Sequence, residues 1–176
     1  MNIRQAAAED VGAVLACYYD LIDRMRGSEY RPTWERDVYP TREGLLDAAG
    51  AGTLYLAEEA GQVLGAFVLN HIQAAGYERA AWQVEAPAER VAVLHLLGVH
   101  PLSRGRGVGR ALLQKAADVS RAALDAAIRL DTLPHNLPAR RLYEGFGFRY
   151  CGELSLTDPA AGTIPFSLYE YALAPA

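Results

Sequence analysis

The residues richest in chemistry fall in one run, Val93 to Gly109, which reads VLHLLGVHPLSRGRGVG. An apolar stretch halts at Pro101 and turns through Arg104, Gly105, Arg106, Gly107, Val108 and Gly109 into an alanine- and leucine-rich segment. Strand, glycine turn and helix start, in that order, make an anion site. Glycines accept backbone conformations closed to other residues and let the N–H groups of the turn approach a ligand. The first N–H groups of the helix have no internal partner and sit at the positive end of its dipole, where a pyrophosphate is well held. Arg104, Arg106 and Arg110 add charge-assisted hydrogen bonds to phosphate oxygens. Two other phosphate turns are excluded. A Walker loop needs a Gly-Lys-Ser/Thr that is absent here, and a dinucleotide-binding turn needs G-x-G-x-x-G after the first strand.

Around this run the hydrophobic pattern sets out the elements that must position it. A strand signal at Ile3 and Arg4 precedes Glu9 and Asp10, and Val11, Val14, Leu15, Tyr18, Leu21 and Ile22 then recur at helical spacing. Residues 27 to 41 break that period and carry aromatics among prolines, which reads as a surface loop or short helix. A second helix spans roughly 41 to 51, with Thr41 as its cap and Leu45, Leu46 and Ala49 on one face. Residues 53–59 and 62–72 are β-rich runs joined by Ala60-Gly61, a hairpin turn. The fourth strand spans 92 to 99, and alternation along it puts His95, Leu97 and Val99 on one face. A helix follows from Val108 to about Ala122, then a strand at 127–133. A short helix is bracketed by Pro138 and Gly145. Strands at 148–156 and 165–173 flank a turn from Asp158 to Thr163. The order β-α-α-β-β-β-α-β-α-β-β predicts a mixed α/β sheet flanked by helices, in a single domain over 1–176. The strands on either side of the 108–122 helix are expected to be parallel, with ligands beyond their carboxyl ends.

Composition narrows the partners. At 176 residues, 51% of them hydrophobic, the chain is long enough for one domain with a sizeable core. A net charge of −4 gives no overall attraction to nucleic acid, while the 104–110 turn can still meet a small anion. Cys17 and Cys151 lack metal-ligand spacing and read as buried, reduced thiols, so no metal is expected. No apolar run is long enough to cross a bilayer and no basic-then-apolar leader opens the chain, which together suggest no membrane association and a cytoplasmic location.

Two motifs carry a family resemblance. Arg104-x-x-Gly107-x-Gly109 after LLGVHP, followed by Asn136, Ala139, Tyr143, Glu144, Gly147 and Phe148 in HNLPARRLYEGFGF, resembles the acetyl-CoA-binding core of the GNAT acetyltransferase superfamily. The motif resemblance covers about Val93 to Phe148, and the element order agrees over the whole chain. It implies an acetyl-CoA-dependent N-acetyltransferase that moves an acetyl group directly to a primary amine within a ternary complex. It implies acetyl-CoA as co-substrate, held by Arg104, Gly105, Arg106, Gly107, Val108, Gly109 and Arg110, by the backbone of Leu97, Gly98 and Val99, and by Asn136 and Tyr143. A backbone N–H near Val99 would face the thioester oxygen. Tyr143 is the implied proton donor to sulfur, since a phenol with a pKa of about 10 stays protonated at neutral pH; the competing reading is a core aromatic. His95 is the candidate base, against the reading of a locally hydrogen-bonded strand histidine, and Glu85 is second.

Acceptor recognition is expected from the 23–41 segment and the stretch from Asn70 to Trp82. Trp34 and Tyr39, beside Arg31 and Arg36, would line the acceptor pocket, with Asn70 and His71 facing it. The expected acceptor is a small-molecule amine. A protein N-terminus or lysine, and a non-catalytic acyl-CoA-binding module, are the alternatives. Family members are often homodimers, and the two C-terminal strands offer an edge for pairing.

Overall fold

Apolar residues at helical spacing build the first helix, α1 (Val11–Met25), whose buried face is Val11, Val14, Tyr18, Leu21, Ile22 and Met25. The computed structural model describes residues 1–173 and adds, in chain order around it, β1 (Asn2–Gln5), α2 (Arg42–Gly50), β2 (Leu54–Glu59), β3 (Gln62–Asn70), β4 (Val91–Val99), α3 (Val108–Ala122), β5 (Ala127–Thr132), α4 (Leu137–Phe146), β6 (Arg149–Asp158) and β7 (Gly162–Ala172). The order is the expected β-α-α-β-β-β-α-β-α-β-β. One sheet runs β1-β2-β3-β4-β5-β7-β6, and its only parallel pair among the described residues is β4 with β5, on either side of α3. The β2–β3 turn places Ala60 at φ 50° and Gly61 at φ 77°, the left-handed pair that matches strand twist in a two-residue hairpin.

Both faces of the sheet are covered. Leu54, Leu56, Ala66 and Val68 pack with α1 and with Leu45 of α2, while the intervening Tyr55, Ala57, Phe67 and Leu69 pack with Leu112, Leu113 and Ala116 of α3. Thr41 caps α2, its hydroxyl accepting from the Gly44 N–H at 3.1 Å. Three expectations are corrected. Leu46 lies on the exposed side of α2. α4 runs through Gly145 and stops at Gly147, which takes φ 121° while its N–H reaches the Tyr143 and Glu144 carbonyls. Of the two C-terminal strands only β6 is an edge, because β7 is paired on both sides.

β4 departs from regular pairing in two ways. Its register against β3 steps from His95 opposite Val68 to Gly98 opposite Ala66, so Leu96 and Leu97 together face one residue. Leu96 sits at φ 54°, unusual for a branched side chain, and its carbonyl accepts from the Tyr18 hydroxyl at 2.7 Å. The extra residue reverses the alternation: Ala92 and Leu94 share the α3 face with Leu97 and Val99, which leaves His95 on the opposite face. The expectation that His95 shares a face with Leu97 and Val99 is therefore corrected. Second, β4 pairs with β5 only at Val91–Val93. Beyond that point the strands part, and the edge of Leu94–Val99 toward β5 has no strand partner among the described residues.

A buried ion pair holds the far side of this split. Arg129 of β5 and Glu170 of β7 meet at 3.0 Å, and Glu170 also accepts from the Gln83 and Val84 N–H groups, fastening the loop before β4. Removing one partner strands a buried charge. Glu170→Ala is expected to lower unfolding free energy by about 3–5 kcal/mol, read from urea denaturation.

Candidate functional site

The parting of β4 and β5 opens a cavity of about 680 Å³ that reaches from the glycine turn to the β6–β7 hairpin. At one end Gly105 (φ 75°) and Gly107 (φ 78°) take left-handed backbone, and Gly107 leads into α3 with no side chain capping the helix. The first N–H groups of α3 are thus left for a ligand. Arg104 and Arg110 line the same end. Gly109 has a different duty: a Cβ there would come within 2.9 Å of Leu142 Cδ2, so its absence lets α3 lie close to α4. Arg106, expected on the phosphates, is turned to Glu59 in an ion pair and is not on the cavity wall.

The middle of the cavity is bounded by the unpaired edge of β4 and by α4. Leu97, Gly98 and Val99 line it. A Cβ on Gly98 would meet Tyr18 Cε1 at 2.8 Å, so this glycine admits α1 against the bulge. Asn136 caps α4, its side chain accepting from the Ala139 N–H at 3.3 Å, and reaches the cavity as well. Tyr143 packs against Phe148 and Tyr169 and is only 6% exposed. Its hydroxyl has no hydrogen-bond partner among the described residues, although it lines the cavity; burial raises its pKa, with repulsion from Asp131 next. It is a protonated donor with nothing among the described residues to donate to.

The far end lies on the other face of the sheet. His95 Nε2 stands 3.1 Å from Asn70 Oδ1 and 3.2 Å from the Ile72 carbonyl, two acceptors that place the proton on Nε2 and leave the Nδ1 lone pair free. Burial lowers the His95 pKa, and the Ile72 carbonyl opposes this more weakly. Asn70 therefore orients His95 and is not itself on the wall. Trp34 and Tyr39 are, and Trp34 stands edge-on to Tyr18 at 5.3 Å. The 27–41 segment is a loop tightened by mutual backbone bonds between Glu35 and Tyr39. His71 instead pairs with Asp125 at 2.8 Å, and Glu85 is exposed and off the wall.

Two carboxylates at this end are not marked by the sequence as site residues. Asp131 of β5 accepts from the Tyr77 hydroxyl at 2.6 Å, and its pKa is raised by burial, with Tyr77 opposing and Asp158 adding to the rise. Asp158, at the end of β6, accepts from the Thr33 hydroxyl at 2.6 Å and from the Ala160 and Ala161 N–H groups. The available signal was an acid inside the apolar run AIRLDTL, on the parity of Arg129 rather than of the core residues Ile128 and Leu130. No group of three or more His, Cys, Asp or Glu side chains placed to hold a metal occurs among the described residues, and no helix there is long and apolar enough to cross a membrane.

The model of the acetyltransferase (GNAT) family matches residues 18–148. Mycothiol acetyltransferase of Beutenbergia cavernae is 38% identical over 80 residues, 46% of this chain and 27% of that protein. N-alpha-acetyltransferase 40 of Saccharomyces cerevisiae is 31% identical over 150 residues, 77% of this chain and 51% of that protein. The chain thus spans about half or less of the length of these curated relatives. Among solved structures, yncA from Salmonella typhimurium, determined with its cofactor acetyl-CoA, shares the fold with a TM-score of 0.72 at 18% identity, covering 100% of this chain and 95% of that one.

The geometry around His95 sets a pH dependence. With its folded-state pKa below the ordinary 6.5, the ring is neutral at neutral pH. As pH falls through that value the unfolded chain binds a proton that the folded one resists. Stability from this site is therefore full above the unfolded pKa and is lost as pH drops through the folded one. An NMR titration of the His95 ring is expected to place its midpoint below 6.5.

Proposed function

The chain belongs to the acetyltransferase (GNAT) family, and from that premise we propose that it is an acetyl-CoA-dependent N-acetyltransferase whose acceptor is the primary amine of a small molecule. The carrying observation is the single cavity that joins the uncapped glycine turn to an unpartnered Tyr143 hydroxyl along the open edge of β4. Acetyl-CoA supplies the acetyl group as a thioester, activated toward attack by an amine.

Each part of the cavity has a task in this reading. Gly105, Gly107, the first N–H groups of α3, Arg104 and Arg110 hold the diphosphate. The β5-facing backbone of Leu97–Val99 binds the pantetheine arm as a neighbouring strand would, and an N–H near Val99 meets charge developing on the carbonyl oxygen. His95 Nδ1 or the Asp131 carboxylate takes a proton from the attacking nitrogen. As the new N–C bond forms and the C–S bond breaks, Tyr143 gives its proton to the leaving sulfur, so one proton is taken up and one released. The bulge serves this division: it turns His95 to the acceptor face while Leu97 and Val99 keep to the face of α3 and α4.

A small acceptor is favoured by the roof over the far end. Thr33 is bonded to Asp158, and the Arg31 carbonyl to His135 Nε2 at 3.1 Å, so the 27–41 loop is tied down on two sides and encloses a cavity. The likeness to the yeast N-alpha-acetyltransferase favours the second reading, acetylation of a protein N-terminus.

Two substitutions test the donor side. Gly107→Val forces a β-branched residue to φ 78°, and is expected to weaken acetyl-CoA binding at least about tenfold by calorimetry, a loss of ~1.4 kcal/mol or more. Unchanged binding would overturn the cofactor assignment. Tyr143→Phe is expected to lower kcat about 10²-fold with little change in acetyl-CoA affinity. An unaltered kcat would return Tyr143 to packing.

A further inference from the structure

The charged side chains on the cavity wall are segregated. Its two cationic residues, Arg104 and Arg110, stand at the glycine turn, and its two anionic residues, Asp131 and Asp158, stand at the opposite end. Each carboxylate has hydrogen-bond donors, but neither has a Lys, Arg or His ion-pair partner among the described residues. His95, the imidazole on the same wall, is kept neutral by burial. Asp158 is 7% exposed, and Asp131 feels its repulsion. Partly buried carboxylates that face one cavity without a counter-ion are costly unless a ligand brings the charge. The orphan Tyr143 hydroxyl, 6% exposed and on the same wall, independently marks the cavity as built for a ligand.

One amine would not use both acids. The nitrogen to be acetylated must lose its positive charge before it attacks, so whatever attraction an acid offers it at entry disappears by the reactive step. The second carboxylate then still lacks a counter-ion. Asp158 is placed for a lasting one: its three donors fix its orientation, and it lies on the hairpin that meets the 27–41 roof. Resting on the reading of this site as a small-molecule N-acetyltransferase, we propose that its acceptor is a dication, a small aliphatic diamine or polyamine-like compound. One nitrogen is acetylated near His95 and Asp131, and the other stays protonated against Asp158.

The test compares 1,4-diaminobutane with butylamine, which has the same four-carbon chain and lacks the second charge. The wild-type protein is expected to show kcat/KM at least about tenfold higher for the diamine, the discrimination that one charge-assisted hydrogen bond supports. Asp158→Asn keeps the side chain's shape and its acceptor for the Ala160 and Ala161 N–H groups, and is expected to cut that preference about tenfold. A binding readout needs no variant. N,N,N′,N′-tetramethyl-1,4-diaminobutane, whose nitrogens in their neutral form have no hydrogen for an acetyl group to replace, is expected to inhibit competitively against the diamine and more tightly than N,N-dimethylbutylamine. Equal kcat/KM for the two amines, or equal inhibition by the two tertiary amines, would overturn the inference alone. Absence of acetylation of either amine while acetyl-CoA binds would overturn the parent reading, and this inference with it.

Discussion

Everything functional in this fold depends on β4 and β5 holding together for three residues and then parting. Parallel strands normally satisfy each other's backbone along their length, so leaving Leu94–Val99 unpaired toward β5 exposes donors and acceptors within the sheet. The structure tolerates this because both strands are anchored elsewhere. β4 stays paired with β3 through Gly65 opposite Val99, and β5 stays paired with β7 through Thr132 opposite Ser167. The open groups are an extended ligand's natural partners, and the gap joins the two faces of the sheet.

The bulge at Leu96 decides which side chain belongs to which face. One inserted residue moves every later side chain of the strand to the other side. Leu97 and Val99 consequently join the core under α3, while His95 looks toward the loop that carries Trp34 and Tyr39. The left-handed backbone at Leu96 is strained, and Tyr18 holds its carbonyl in place from α1. Gly98 is the accompanying requirement, since any side chain there would strike the Tyr18 ring. A helix that looks purely structural in its apolar pattern thus fixes the geometry of the site.

Electrostatics then divides the cavity. Helix-end N–H groups and two arginines make one end suited to phosphate, and two carboxylates, buried Asp158 and half-buried Asp131, make the other suited to nitrogen. Tyr143, in the middle, stays protonated through burial, and His95, at the far end, stays neutral for the same reason. A low-dielectric wall keeps the proton donor and the candidate acceptor in the states that the proposed reaction requires, with no charged partner touching either.

The sequence by itself determined the element order, the parallel β4–β5 pair, the Ala60-Gly61 hairpin, the Thr41 cap and the glycine turn before α3. These are set by periodicity and by local backbone preference, which a few neighbouring residues encode. It also singled out Tyr143 and His95, one by motif position and the other by its place in an apolar strand. Tertiary structure alone decided that Arg106 turns to Glu59, that Asn70 orients a histidine instead of lining the cavity, and that His95 faces away from Leu97. It alone brought Asp131 and Asp158 to one wall from strands separated in sequence by α4. The physical reason is common to all four: a bulge adds no distinctive residue to the pattern, and a charge finds its partner across the fold, at distances that alternation and spacing along the chain do not encode.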